Sequence, residues 1–259
     1  MSKRMHFLWA TPRSTSTAFE WMMRMRGDMA CFHEPFGEPW YMGPEARAPR
    51  PPEADKTKQD STFASVWNRL NEVGETRTVF CKDFPHHTDH MWDEAFLDRI
   101  NHAFLIRDPA KVLASLNRSY QKAGMAHVFE PHEISFEGQL TLFKLLSDRT
   151  GIAPPVIDSD DLLADPPTMV EAYCNAIDEP FVAEALSWEP GDRSDVLWYD
   201  GDDSVWHESL KNSDGLKAQP RKEVDIDALP NELRRQYEIF MPIYEEMRLY
   251  RIGVNRSAA

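Results

Sequence analysis

The segment Thr11-Pro12-Arg13-Ser14-Thr15-Ser16-Thr17 sets four consecutive hydroxyls, Ser14 to Thr17, beside one guanidinium. Before it, His6 to Ala10 reads as a short buried strand. After it, Ala18 to about Arg26 reads as a helix with apolar Phe19, Met22, Met23 and Met25, stopped by Gly27. Strand, hydroxyl-rich loop and helix together make an anion site, because the first helical turn carries N–H groups without intrahelical partners and the positive end of the dipole. Ser14 or Thr15 standing alone would more simply cap the helix. No Gly and no Lys lies between Thr11 and Thr17, so the Walker pattern is missing and an ordinary ATP or GTP cradle is disfavoured. A second junction, Ile106-Arg107-Asp108-Pro109, has Ser115 eight residues after Arg107. Arg107 ends a strand and Ser115 lies two turns into the next helix, so both can face the carboxyl edge of the sheet, where open α/β folds bind ligands. Alone, Arg107 is equally well read as a strand-end residue in a salt bridge, and Ser115 as a small helix residue.

The elements that must position these groups alternate. A helix over 61–73 precedes a strand over 76–82, and a helix over 89–99 precedes a strand over 102–107. A helix over 110–120 follows, then a strand over 155–158 and a helix over 166–177, with acidic residues 160–165 between. Strands alternating with helices predict an α/β fold: a central parallel sheet flanked by helices on both faces. The proline-rich stretch at about 36–60 (Pro39, Pro44, Pro49, Pro51, Pro52) reads as a long loop, and its neighbours Trp40 and Tyr41 suggest a lid over an acceptor pocket. Residues 231–250 read as a helix interrupted near Pro242 that packs through Phe240, Ile243, Tyr244 and Met247.

Composition limits the partners. The 259 residues are 42% hydrophobic, enough to bury a sizeable core, and a single domain over 1–259 is expected. The net charge of −14 argues against nucleic acid or a polybasic membrane contact, so any anion must be met by a local cluster. Cys31, Cys81 and Cys174 form no CxxC pair, which speaks against a disulfide framework and for a reducing compartment. The apolar run near the N-terminus is too short for a signal or a span, and a cytoplasmic protein is expected. The residues leave the oligomeric state open.

Taken together, the two junctions resemble the signatures of sulfotransferases that use 3′-phosphoadenosine 5′-phosphosulfate (PAPS), and more closely the bacterial small-molecule branch. The first signature, a strand followed by Pro-Lys/Arg-Ser-x-Ser/Thr-Thr, is similar to residues 11–17; the resemblance implies that Arg13, Ser14, Thr15, Ser16 and Thr17 hold the 5′-phosphosulfate. The second, Arg-Asp/Asn-Pro with a serine eight positions on, is matched by Arg107 and Ser115, which would hold the 3′-phosphate. A third segment, residues 156–166, resembles the family's strand, acidic turn and helix, with Ser159 where the family often has Tyr. The fold implied is P-loop NTPase-like. Lys211, in Lys211-Asn212-Ser213-Asp214-Gly215, falls where the family carries a late basic loop over the 3′-phosphate.

Sulfuryl transfer to a hydroxyl or amine needs a base, cations near the bridging and equatorial oxygens, and in-line positioning. No metal is obligatory. The resemblance makes Arg13 the partner of the leaving oxygen and Lys82 a contact of the transferred group. Two positions compete for the base. Glu34, in Phe32-His33-Glu34-Pro35, stands where the bacterial branch carries a glutamate. The cytosolic branch uses a histidine two residues after the lysine, which here is Phe84, with His86 and His87 displaced beyond it. The cluster His86-His87-Thr88-Asp89-His90 has metal-ligand residue types but no helical HExxH spacing, and reads as a turn; no metal is expected. Trp198, Tyr199 and Trp206 are aromatics that would suit a small-molecule acceptor pocket or plain packing. A small-molecule kinase and a nucleotide-binding regulator without turnover are the alternative functions.

Overall fold

The computed structural model describes residues 5–48, 58–124, 130–193, 195–198, 207–221 and 223–253. Five strands, β1 (Met5–Ala10), β2 (Met29–His33), β3 (Thr78–Asp83), β4 (Asn101–Ile106) and β5 (Val156–Asp158), form one sheet in the order β2-β3-β1-β4-β5. Every pairing is parallel. Along β1, Phe7 and Trp9 enter one core while Leu8 and Ala10 enter another. Burial of both sheet faces is why β1 reads as a continuous apolar run.

The Phe7/Trp9 face is covered by α2 (Gly37–Met42), α3 (Phe63–Gly74), α4 (Glu94–Arg99), α5 (Pro109–Ala123), α6 (Phe136–Thr150) and α10 (Asn231–Arg248). The opposite face is covered by α1 (Ser16–Met25), α7 (Ser159–Ala164), α8 (Pro166–Ala176) and the segment leading to α9 (Glu208–Lys211). From the adjacent strands β1 and β4 the chain leaves towards opposite sides of the sheet, which opens a crevice between their carboxyl ends. Gln139 closes the sheet at this point: its Nε2 donates to the carbonyls of Trp9 and Leu105, both at 3.0 Å.

Local chemistry sets the helix ends. Asp108 accepts from the Ala110 N–H at 2.8 Å, Pro109 occupies the first helical turn of α5, and Gly124 (φ 63°) ends it. Thr62 and Ser65 form a capping box that starts α3 at Phe63 rather than at Ser61. The helix expected over 89–99 is broken: Pro85–His87 and Asp89–Met91 form 3₁₀ turns, and Asp93 caps a separate α4. Residues 160–165 are mostly helical rather than an open turn, because Asp158 caps α7.

Among the elements that escape the sequence pattern are the edge strand β2 and the helix α6. Within the proline-rich stretch, residues 37–42 are helical, and Trp40 and Tyr41 are buried against the rings of His86 and His87. Pro49, Pro51 and Pro52 lie outside the described residues. The helix expected to break near Pro242 runs unbroken as α10: Pro242 sits on its solvent side, where the carbonyl it leaves unpaired meets water, while Phe240, Tyr244 and Met247 anchor the buried side.

The turn after α2 is tight. A Cβ on Gly43 would lie 2.2 Å from the Ser61 carbonyl oxygen and 2.9 Å from the Pro39 Cα, both backbone atoms. Gly43→Ala is therefore expected to lower the unfolding free energy by about 1–3 kcal/mol, the usual cost of overpacking, read as a reduced urea midpoint.

Candidate active site

The β1 to α1 and β4 to α5 junctions meet. The Arg13 Nε donates to Ser115 Oγ at 3.0 Å, and the Arg107 Nη1 donates to the Arg13 carbonyl at 2.6 Å. Neither Ser14 nor Thr15 caps α1: Ser14 Oγ donates to the Thr11 carbonyl at 2.7 Å, and Thr15 Oγ1 pairs with Ser159 Oγ at 2.8 Å. The first-turn N–H groups of α1 thus have no side-chain cap, the condition for an anion to take that place. Arg13 (φ 62°) and Thr15 (φ 73°) hold left-handed backbone, which L residues adopt only where the surroundings enforce it.

These residues line a cleft of about 260 Å³ that also includes Thr17, His207, Ser213, Gly215 and Gln219. Gly215 (φ 152°) is required in its wall, since a Cβ there would meet the Leu186 carbonyl oxygen at 2.5 Å. The cleft is electropositive. Burial, and then the charges of Arg107 and Arg118, pull the Arg13 guanidinium down to about 10. Burial is also the main cause that lowers Arg107; Asp160, Asp108 and Asp158 oppose it, while Arg118 adds to it. Cations crowded enough to weaken one another mark a place where a multiply charged anion would be stabilised.

A second cluster begins at the end of β2. Glu34 (φ 40°) takes its backbone hydrogen bond from its N–H to the Lys82 carbonyl, at 2.7 Å, and its carboxylate pairs with Lys82 Nζ. His33 joins two carboxylates: its Nδ1 lies 2.6 Å from Glu20 Oε2, and its Nε2 lies 3.6 Å from Glu34 Oε1. Arg24 pairs with Glu20 at 2.8 Å, completing a buried chain Arg24–Glu20–His33–Glu34–Lys82. Burial opposes ionisation of Glu34, but the charges of Lys82, His33 and His87 outweigh it and hold the carboxyl at about 2. Glu20 is likewise held at about 2, where burial is outweighed by His33, Arg24 and Lys82.

His207 stands at the boundary of the two clusters. Its ring lies 5.7 Å from that of His33 and 4.0 Å from that of Trp198. Burial, reinforced by His33, Lys82 and Arg13, depresses it to about 3, so it is neutral at pH 7. Glu34 and His33 also line a larger groove of about 480 Å³ that runs along β2.

The sequence profile described as a sulfotransferase domain matches residues 5–249. The chain belongs to the sulfotransferase family. Solved sulfotransferases share its fold: one from Alicyclobacillus acidocaldarius (12% identity, TM-score 0.57, 97% of each chain covered) and the sulfotransferase domain of the Synechococcus PCC 7002 olefin synthase (16%, 0.52, 93% of this chain and 96% of that one). A third is the sulfotransferase domain of the curacin biosynthetic pathway (15%, 0.51, 92% and 97%). Among curated sequences, branched-chain-amino-acid aminotransferase-like proteins 2 and 1 of Arabidopsis thaliana are 24% and 25% identical over 243 and 217 residues. The sulfotransferase chain covers 93% and 83% of itself in those matches but spans only 41% and 36% of the two plant proteins.

Within this sulfotransferase the structure brings together Arg13, Ser14, Thr15, Ser16, Thr17, Arg107 and Ser115 on one cleft. Lys211 is not among the residues lining it; its Nζ lies 2.8 Å from Asp192 Oδ1. His86 and His87 line neither cavity: His86 Nδ1 contacts Ser135 Oγ at 2.5 Å and His87 Nδ1 contacts Asp83 Oδ1 at 2.6 Å. Asp89 pairs with His90, and among the described residues no group of three or more His, Cys, Asp or Glu is placed to hold a metal ion. Trp198 packs on His33; Tyr199 and Trp206 lie outside the described residues. No helix among the described residues is long and apolar enough to cross a membrane.

Sequence reasoning missed Glu20, His207 and Arg118. Arg118 had a signal, since it lies three residues after Ser115 on the same face of α5. Glu20 had only a weak one, a carboxylate four residues before Arg24 on α1. His207 had none, because it reaches the site through tertiary packing alone.

Proposed function

We propose that this sulfotransferase moves the sulfuryl group of PAPS to a hydroxyl, or an amine, of a small-molecule acceptor. The observation that carries this reading is the direct hydrogen bonding of Arg13 to Ser115 and of Arg107 to Arg13, which joins two junctions about ninety residues apart into one anion cleft. The uncapped turn at Ser14 to Thr17 suits the 5′-phosphosulfate. Arg107 and Ser115, with Arg118 nearby, suit a 3′-phosphate that ATP lacks.

Glu34 is the base in this scheme, because it lines the large groove whereas His86 and His87 line neither cavity. It takes the acceptor proton as the acceptor oxygen forms its bond to sulfur and the bridging oxygen leaves with adenosine 3′,5′-bisphosphate. Lys82, paired with Glu34, would turn to the equatorial sulfuryl oxygens when the donor binds. Once it does, burial becomes the dominant influence on Glu34 and raises its basicity towards the working pH. Arg13 meets the charge that develops on the leaving oxygen.

Thermal and chemical unfolding with adenosine 3′,5′-bisphosphate or with ATP and Mg²⁺ tests the donor. At a hundredfold excess over Kd the bisphosphate is expected to add about 2.7 kcal/mol of stability, and ATP with Mg²⁺ much less. Stabilisation by ATP and Mg²⁺ alone would replace this function with phosphoryl transfer.

A further inference from the structure

We infer that the groove along β2 takes an acceptor bearing an anionic group, bound by Arg69 and Arg77, with its hydroxyl end at Glu34. The inference rests on the sulfotransferase reading above and specifies its acceptor class.

β2 is the outer strand of the sheet, and the groove runs beside it from Gly27 to Glu34, opposite the Val66, Arg69 and Leu70 face of α3. These three positions follow the i, i+3, i+4 spacing of one helix face. The groove is nearly twice as large as the donor cleft, at about 480 against 260 Å³, and of the two it is the one that Glu34 lines. An acceptor that reaches the base must therefore lie in it.

The charge of the groove is unbalanced. Each of its carboxylates already has a cation: Glu34 has Lys82, Glu38 has Lys58, and Asp195 has Arg193 at 3.0 Å. Arg24 is committed to Glu20. Arg69 and Arg77, by contrast, have no carboxylate partner among the described residues. Arg69 lies over the Phe32 ring, 5.4 Å from its centroid, and Arg77 donates to the carbonyl of Met29 at 2.9 Å. Two such guanidiniums lining one groove are notable in a chain of net charge −14, where the average surface repels anions. The body of the ligand is specified too. Val66, Leu70 and Leu197 give the groove an apolar wall, and Leu197 is 65% exposed there.

Strand geometry sets the length. Phe32 is two residues and Met29 five residues from Glu34, so Arg69 and Arg77 stand roughly 7 and 17 Å along the strand from the base. The acceptor is therefore an elongated, mainly apolar hydroxy acid or hydroxyalkyl phosphate rather than a compact neutral sugar.

Calorimetric titration of the purified full chain, with and without saturating adenosine 3′,5′-bisphosphate, tests this using ω-hydroxydecanoate, its methyl ester and ω-hydroxydecyl phosphate as probes. The two anions are expected to bind about tenfold or more tightly than the ester, the gain of one or two charge-assisted hydrogen bonds. In the Arg69→Ala/Arg77→Ala variant that preference should fall to under about threefold. An unchanged bisphosphate affinity in the same variant reports an intact fold. Equal affinity for acid and ester, binding of no probe at millimolar concentration, or a preference that survives loss of both arginines would overturn the inference. Failure of the sulfotransferase reading itself would appear separately, as absent bisphosphate binding in the unmodified chain.

Discussion

Glu34→Gln is expected to lower sulfuryl-transfer turnover by about two to four orders of magnitude, the range that a positioned general base supplies, with KM for the donor little changed. The amide keeps the shape of the side chain and can still bond to Lys82 through its oxygen, but it cannot take a proton. His86→Ala and His87→Ala supply the contrast. Their rings are buried with Nδ1 already held by Ser135 and by Asp83, so their loss should reduce stability more than turnover normalised to folded protein. The measurement is single-turnover transfer from labelled PAPS in the presence of the acceptor, with bisphosphate-induced stabilisation as the check on folding. Near wild-type turnover in the Gln variant, with a large loss in either histidine variant, would move the base to the other end of the β3 turn.

How much of this was legible from the chain alone differs by element, for physical reasons. The parallel sheet and the two strand-to-helix junctions were readable because they depend on local chemistry. A buried strand must be apolar, a loop of hydroxyls needs no distant partner, and Arg107 with Ser115 is fixed by strand end and helix pitch. β2 was not readable. It pairs on one side only, and Met29-Ala30-Cys31-Phe32-His33 has neither clean alternation nor a long apolar run. The helical turn at residues 37–42 was hidden by Pro39, which reads as a loop signal but is tolerated in a first helical turn, where its missing N–H would be unpaired anyway.

At the site, Glu34 could be singled out by its neighbours in sequence, but its surroundings could not. The chain from Arg24 through Glu20 and His33 joins α1 to the end of β2, and it exists only because α1 packs back on that strand. Lys211 shows the same limit in reverse. A lysine at a familiar place in the order of motifs is drawn to Asp192 by a fold contact that no spacing announces.

The chain of buried charges makes Glu20 the position where a substitution should cost most stability. Removing one member of a buried ion pair leaves its partners unpaired, which typically costs about 3–5 kcal/mol, a large part of the 5–15 kcal/mol that holds most domains folded. Glu20→Ala strands both Arg24 and His33 and leaves a void beside them, so a loss in that range is expected in urea titrations at pH 7. Glu20→Gln, which keeps the volume and one acceptor oxygen, should lose distinctly less.

The acid limb gives an independent readout with a defined sign. Glu20 has its folded value depressed to about 2 from 4.5, so the stability it contributes is fully present above about pH 4.5 and is lost as the pH falls through 2. Glu34 adds a second contribution over the same window. Stability plotted between pH 5 and pH 2 should therefore fall steeply in the unmodified chain and less steeply in Glu20→Gln, where one of the two titrating carboxyls is gone. A variant with an unaltered slope would mean that Glu20 titrates in the folded protein as it does in the unfolded chain, so that His33 and Arg24 do not hold its charge.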